Sequence, residues 1–388
     1  MRDFKIARRA VFAGGAVLTC AVLATRLALR GIAFSLGTVD DIGVERLRQI
    51  LSALPRIAAG PGKKGVVLGA SAVAQGFSPE EFDARLAEEK ISLTSYNLGQ
   101  NAPDPLILRL LTARIRTTFE SRSERLFLSI IEFSPGDSTQ AAESGLAQVD
   151  SIRRAQLAGW GELARLFTKS PKTGADLGAL KALGGLGAPE LAGALRQRLL
   201  TEREKETERA VLIRELDREL RAIGSGREIA SWDWRRRGGQ RLLFPATRKT
   251  YEALVRSSTP AWLASDRRGF VANGDILELR FSDEMIANFV RAVKNLQAIS
   301  EHTYVLISPR NAAWIAPTPA GAERLSRVLS RIGRETGGKT IDFYSDQEFL
   351  PADFLDTVHL NEISGRPKLM KALAKRVAAL MRAEGGSE

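Results

Sequence analysis

The feature that most constrains this chain is a rhythm in which short apolar, β-branched runs alternate with amphipathic stretches of ten or more residues. The runs are 65–69 (GVVLG), 95–99 (SYNLG), 125–133 (RLFLSIIEF), 303–308 (TYVLIS) and 340–344 (TIDFY). Helices are predicted over 40–59, 79–89, 105–119, 283–300, 321–336 and 364–382. The helix at 79–89 has a clear start: Ser78 as cap, Pro79 in the first helical position, Glu80 and Glu81 in the first turn. Strands apolar on both faces and separated by helices need right-handed crossovers and a parallel sheet covered on both sides. The expected fold is α/β, a flavodoxin-like three-layer α/β/α parallel sheet.

Three segments stand outside that rhythm. Residues 1–9 carry Arg2, Lys5, Arg8 and Arg9 and are followed by sixteen uncharged residues, 10–25, before Arg26. Sixteen helical residues rise about 24 Å against a hydrocarbon core of ~30 Å, and Leu27 to Leu29 extend the apolar length. The expectation is a cytoplasmic tail at 1–9, a signal anchor or transmembrane helix at 10–29, and a body on the periplasmic or extracytoplasmic side. A twin-arginine signal at Arg8-Arg9 and lipidation at Cys20 are the alternatives. Residues 30–62 read as a linker with an amphipathic helix, whose Val44, Leu47, Ile50, Leu51 and Leu54 recur at three- and four-residue spacing.

The third segment, 138–265, reads as a mainly helical insertion or cap between two halves of the sheet domain, 63–137 and 266–388. Its clearest helix is 201–223, with Leu212, Leu216, Leu220 and Ile223 on one face and Gly224 as the stop.

The formal net charge is +12, which raises nucleic acid as a partner. Its location argues otherwise. Residues 1–62 hold nine basic against four acidic residues, and 227–268 hold ten against four, leaving the rest nearly neutral. The stretch 231–241 (SWDWRRRGGQR) mixes Trp232 and Trp234 with arginines, a pattern able to stack and pair with single strands. An export signal speaks against that partner, so no nucleic acid is expected. A solvated cap face, or a surface for anionic glycan or lipid headgroups, remains.

Two histidines, His302 and His359, and one cysteine, Cys20, exclude an internal disulfide and a Cys/His zinc site of the usual kind. No metal and no organic cofactor is expected. In an open parallel sheet, functional groups collect at the carboxyl ends of strands. Ser71 follows the first strand there, and Tyr96 to Asn101 bring Gly99 and several amides to the same edge. Near the C-terminus Asp356 and His359 stand three apart, a spacing that lets a carboxylate orient an imidazole base for a serine nucleophile. His302 lies at the amino end of its strand, on the wrong edge, where a surface or helix-terminus role is expected. Arg310 and Asn311 follow the fourth strand at its carboxyl end and are candidate substrate contacts.

The segments VVLGASAVAQGFSPEEFDARL, SYNLGQNAP and DTVHLNEISGRPKL together resemble the SGNH/GDSL hydrolase superfamily, in particular its membrane-anchored branch near DltD- and AlgX/AlgJ-like proteins of cell-envelope glycan acylation. The resemblance covers about 63–137 and 266–388. It implies Ser71 as nucleophile, His359 as general base and Asp356 as its orienting partner, with the backbone N–H groups of Ser71 and Gly99 in the oxyanion hole. Two positions depart from the pattern. Ala70 stands where the best-known members have Asp, and the third strand runs into Glu132-Phe133-Ser134-Pro135-Gly136 with no Gly-X-Asn. Asn101 and Asn97 are the amides the chain offers in its place.

The function so implied is a membrane-anchored serine esterase or O-acyltransferase acting on acyl esters of a cell-envelope or exported polysaccharide. The alternative is a catalytically impaired accessory or glycan-binding protein that partners a membrane-bound O-acyltransferase.

Overall fold

The computed structural model describes residues 42–100, 103–142, 157, 277–313, 315–344, 346–354, 357–361 and 363–385. The anchor at 10–29, nearly all of the insertion, Asn101 and Asp356 lie outside these residues. Among the described residues no helix is long and apolar enough to cross a membrane.

The elements follow the predicted alternation: α1 (Ile42–Ala59), β1 (Lys64–Leu68), α2 (Ser71–Gly76), α3 (Pro79–Glu88), β2 (Thr94–Asn97), α4 (Pro105–Glu120), β3 (Leu126–Glu132), α5 (Asp283–Gln297), β4 (Ser300–Ile307), α6 (Pro319–Thr336), β5 (Lys339–Asp342) and α7 (Gly365–Gly385). All four strand pairings are parallel, in the order β2-β1-β3-β4-β5. Every residue of β1 and β3 is buried, as a sheet covered on both faces requires.

One apolar cluster gathers α1, α4, α5 and α6 against the sheet, and a second gathers α2, α3 and α7 on the other face. The result is a three-layer α/β arrangement. Strand order reverses between β1 and β3, so the crevice beyond their carboxyl ends is the natural ligand site of such a sheet.

Local signals account for the helix starts. Asp104 accepts the Ile107 N–H at 2.7 Å ahead of Pro105, Ser282 accepts from Met285 N at 3.3 Å, and Thr318 accepts from Gly321 N at 3.1 Å.

Two elements differ from expectation. The stretch Ser71–Gly76, where no helix is predicted, is a six-residue helix. The amphipathic helix placed in a linker is part of the body: Leu47, Ile50, Leu54 and Ile57 of α1 are buried in the larger cluster. Pro55 sits inside that helix, at a cost of about 3 kcal/mol. Burying aliphatic side chains on either side of it, at ~1.5–3 kcal/mol each, outweighs that cost.

His302 falls within β4, opposite Leu128, rather than ahead of the strand. Its Nδ1 lies 2.6 Å from Glu384 Oε2, near the end of α7, and the same oxygen accepts from the Tyr304 hydroxyl at 3.1 Å. Lys339 Nζ sits 3.1 Å from Glu384 Oε1. This group fastens the last turn of α7 to the sheet, away from the carboxyl edge. Burial pushes the Glu384 carboxyl up, but hydrogen bonds from Lys339, His302 and Tyr304 outweigh it and hold it below its ordinary value of 4.5. A depressed carboxyl contributes stability above its unfolded pKa and loses it as pH falls through the folded one. Glu384→Gln is therefore expected to cost about 1 kcal/mol near neutral pH, the carboxylate being partly solvated. Urea unfolding should show the gap from wild type closing as the buffer is taken below pH 4.5.

Candidate active site

The functional groups converge on the crevice between β1 and β3. Ser71 opens α2 directly after β1, and His359 lies on the loop leading to α7; both are half-buried. His359 Nε2 and Ser71 Oγ are 2.8 Å apart, across 288 residues of sequence. With the imidazole proton on Nδ1, the serine hydroxyl donates to Nε2, the polarity needed for deprotonation of a nucleophile.

The His359 loop is pinned at several points. Phe354 and Leu360 form an antiparallel bridge, and Asn361 N–H donates to Asp353 O at 2.8 Å. The Asn361 side chain donates from Nδ2 to Ala352 O at 2.6 Å, and its Oδ1 accepts from the N–H groups of Ile363 and Ser364 at 3.0 and 2.9 Å. This asparagine of the His-Leu-Asn sequence therefore organises the start of α7. Asn311 N–H donates to Thr357 O at 3.2 Å and ties the loop to the end of β4.

The amides at the end of β2 have a supporting role. Asn97 Nδ2 donates to the carbonyls of Val73, Ala74 and Phe77 at 3.1, 3.2 and 2.9 Å, holding the carboxyl end of α2. Its Oδ1 accepts the Gly99 N–H at 2.9 Å. Neither Asn97 nor Gly99 thus presents a free donor to an oxyanion: both sets of hydrogens are engaged inside the protein. Gly99 is required by close approach, since a Cβ there would sit 2.4 Å from Ala74 N. The Ser71 N–H has no acceptor among the described residues, and Asn101 lies outside them.

Sequence reasoning missed Arg46. This side chain of α1 is 2 % exposed and donates to Gly99 O at 3.0 Å and to Asn97 O at 2.9 Å. Burial lowers its pKa to about 9, so it stays cationic at neutral pH. Guanidinium, Asn97 and α2 form one chain of contacts that sets where Ser71 stands.

A second missed group lies beneath the serine. Glu132, ending β3, is fully buried and its Oε2 accepts the Ala70 N–H at 2.7 Å. Gly69 makes room for it, because a Cβ there would meet Glu132 Oε2 at 2.6 Å. Arg310 Nη2 stands 3.9 Å from Glu132 Oε1 and donates to Ser134 Oγ at 3.5 Å. Arg310 is 9 % exposed and Asn311 2 %, so both face inward. Asp137, beyond β3, has its carboxyl pushed up by burial and by the charges of Glu132 and Asp104, against a hydrogen bond with Ser134 and the pull of Arg310. Asp137 thus feels two other acids, Glu132 and Asp104, and one guanidinium, Arg310. Among the described residues no cluster of histidine, cysteine and carboxylates has the form of a metal site.

No protein-family model and no curated protein matches the chain, so the functional reading rests on this geometry.

The support beneath Ser71 and the acids beyond β3 are open to substitution. Asn97→Ala removes the side-chain donor from Ala74 O and Phe77 O, and the second donor from Val73 O, and is expected to cost about 2–4 kcal/mol in urea unfolding. Arg46→Met is expected to act in the same direction, with Arg46→Lys recovering part of the loss. For Asp137 the sign is opposite. A carboxyl whose folded pKa is raised contributes stability that is lost as pH rises through that value. Asp137→Asn should therefore gain on wild type as pH increases from 3.8, read as a growing difference in denaturation midpoint.

Proposed function

We propose that the chain is a serine esterase or O-acyltransferase of the SGNH type, anchored by its N-terminal segment with the body on the extracytoplasmic side, acting on acyl esters of a cell-envelope or exported polysaccharide. The observation that carries this reading is the contact between Ser71 Oγ and His359 Nε2 at 2.8 Å, at the strand-order reversal of a parallel sheet.

In this reading His359 Nε2 takes the Ser71 proton as Oγ attacks the acyl carbonyl carbon. The tetrahedral oxyanion is met by the Ser71 N–H, and His359 returns the proton to the departing alcohol oxygen. The acyl-serine is resolved when His359 deprotonates water or a sugar hydroxyl, which attacks the same carbon. Asp356 is the proposed partner of His359 Nδ1, stabilising the imidazolium. Asn101 is the amide left to complete the oxyanion hole, where one missing donor costs roughly 3–4 kcal/mol of transition-state stabilisation. Acylated glycan is the proposed substrate and a membrane-bound O-acyltransferase the proposed partner.

One observation favours the accessory reading: the Gly99 N–H and the Asn97 amide are already engaged, which weakens the oxyanion hole. The full chain in a non-ionic detergent discriminates the two. The catalytic reading expects turnover of p-nitrophenyl acetate and fluorophosphonate labelling, with Ser71→Ala and His359→Ala each lowering the rate roughly a thousandfold or more. Equal rates for wild type and Ser71→Ala would overturn it, and a wild type with neither turnover nor labelling would leave the accessory reading.

A further inference from the structure

A groove of about 460 Å³ opens between α4 and α5, the two helices packed on the face of the sheet opposite α2. Arg109 and Arg114 rise from α4, and Arg291 and Lys294 from α5. Among the described residues no carboxylate lines it, and neither Arg291 nor Lys294 has an acidic partner. Arg114 on one wall faces Arg291 and Lys294 on the other, and like charges so placed repel one another unless an anion lies between them.

The floor is of another kind. Leu110, Ala113 and Leu157 line the groove below the cations, and Leu157 is 2 % exposed. Arg114 Nε donates to Leu157 O at 3.2 Å, so one of the cations also fixes this apolar residue in place. The walls are locked at their crossing: Asn295 Nδ2 donates to Thr112 Oγ1 at 3.2 Å and to Arg109 O at 3.4 Å. The volume falls in the range of small-molecule sites and would hold roughly fifteen water molecules at ~30 Å³ each, far more than a bare oxyanion fills.

We infer that this groove seats the head of an anionic phospholipid, with the phosphodiester among Arg109, Arg114, Arg291 and Lys294 and the first methylenes of an acyl chain on the Leu110–Ala113–Leu157 floor. Guanidinium groups supply forked donors matched to phosphate oxygens, and the lysine adds a point charge. The apolar floor is what separates a lipid from free phosphate, since only the former has carbon to bury there. The site does not depend on Ser71 being a nucleophile; it would hold the body against an anionic leaflet whatever the chemistry at the carboxyl edge.

The test is calorimetric titration of the full chain in a non-ionic detergent with a short-chain phosphatidylglycerol, the matching phosphatidylcholine and inorganic phosphate. Phosphatidylglycerol is expected to bind roughly tenfold or more tighter than either of the others, the change that loss of a charge-assisted hydrogen bond produces. Arg291→Gln combined with Lys294→Gln is expected to remove that preference. Ala113→Trp, which fills the floor without altering charge, should weaken phosphatidylglycerol while leaving phosphate unaffected. Equal binding of phosphatidylcholine, inorganic phosphate binding as tightly as phosphatidylglycerol, or wild-type affinity in the charge variant would each overturn the inference. The comparison of the three ligands on wild type stands without any variant.

Discussion

The position of Ser71 depends on one buried amide. Helix α2 has six residues, too few for helix propensity to hold it in water, and its carboxyl end would leave carbonyls without partners. Asn97 Nδ2 donates to Ala74 O and to Phe77 O just past the helix, and adds a second bond to Val73 O, which also accepts the Phe77 N–H, while Oδ1 of the same side chain folds the next turn of chain back through the Gly99 N–H. A single asparagine therefore joins the end of β2 to the helix that carries the serine. Arg46 holds the carbonyls on the other side of that turn. Since α1 lies in the opposite layer from α2, the contact crosses the sheet edge and makes the site a product of both layers.

The electrostatics beneath the serine belong to the same construction. The Glu132 side chain has no water access, and its nearest cation among the described residues, Arg310, is 3.9 Å away. Burying a charge is tolerated when it accepts good hydrogen bonds or has a counter-ion. Glu132 has the Ala70 N–H for one oxygen and Arg310 near the other. That arrangement fixes the peptide immediately before Ser71. The Asp137 carboxyl beyond it is raised chiefly by its own burial, to which the charges of Glu132 and Asp104 add, while Ser134 and Arg310 pull the other way. Arg310 and Asn311 thus hold the ends of β3 and β4 and the His359 loop in register.

Much of this was legible in the sequence because the signals are local. Apolar runs of five to nine residues alternating with helical periods gave the strands and the layers, and His359 does stand against the serine of the early strand-Gly-X-Ser. What escaped was decided by side chains reaching across elements. Arg46 stands four residues before Ile50, on the apolar stripe of α1, and a cation in a buried stripe is a signal of an inward bond. Glu132 has the same parity as Leu128 and Ile130 in its strand, which places it on a buried face. Gly99 was assigned its N–H by position, but an asparagine two residues earlier can take that N–H in an Asx turn, and Asn97 does.

Charge shows why a sum along the chain is a poor guide to a surface. Outside two basic segments the sequence is nearly neutral, yet neutrality in the total allows separation in space. The acids of several helices close on their own neighbours: Glu323 on Arg327, Glu335 on Arg331, Glu88 on Arg85, Glu120 on Arg116. Pairs at such spacing are worth a few tenths of a kcal/mol each, but they remove those carboxylates from wider service. Among the described residues Arg291 and Lys294 on α5 lack such partners, so a nearly balanced region carries a cationic groove. Patterning within helices, and not net charge, decides where an anion would find the protein.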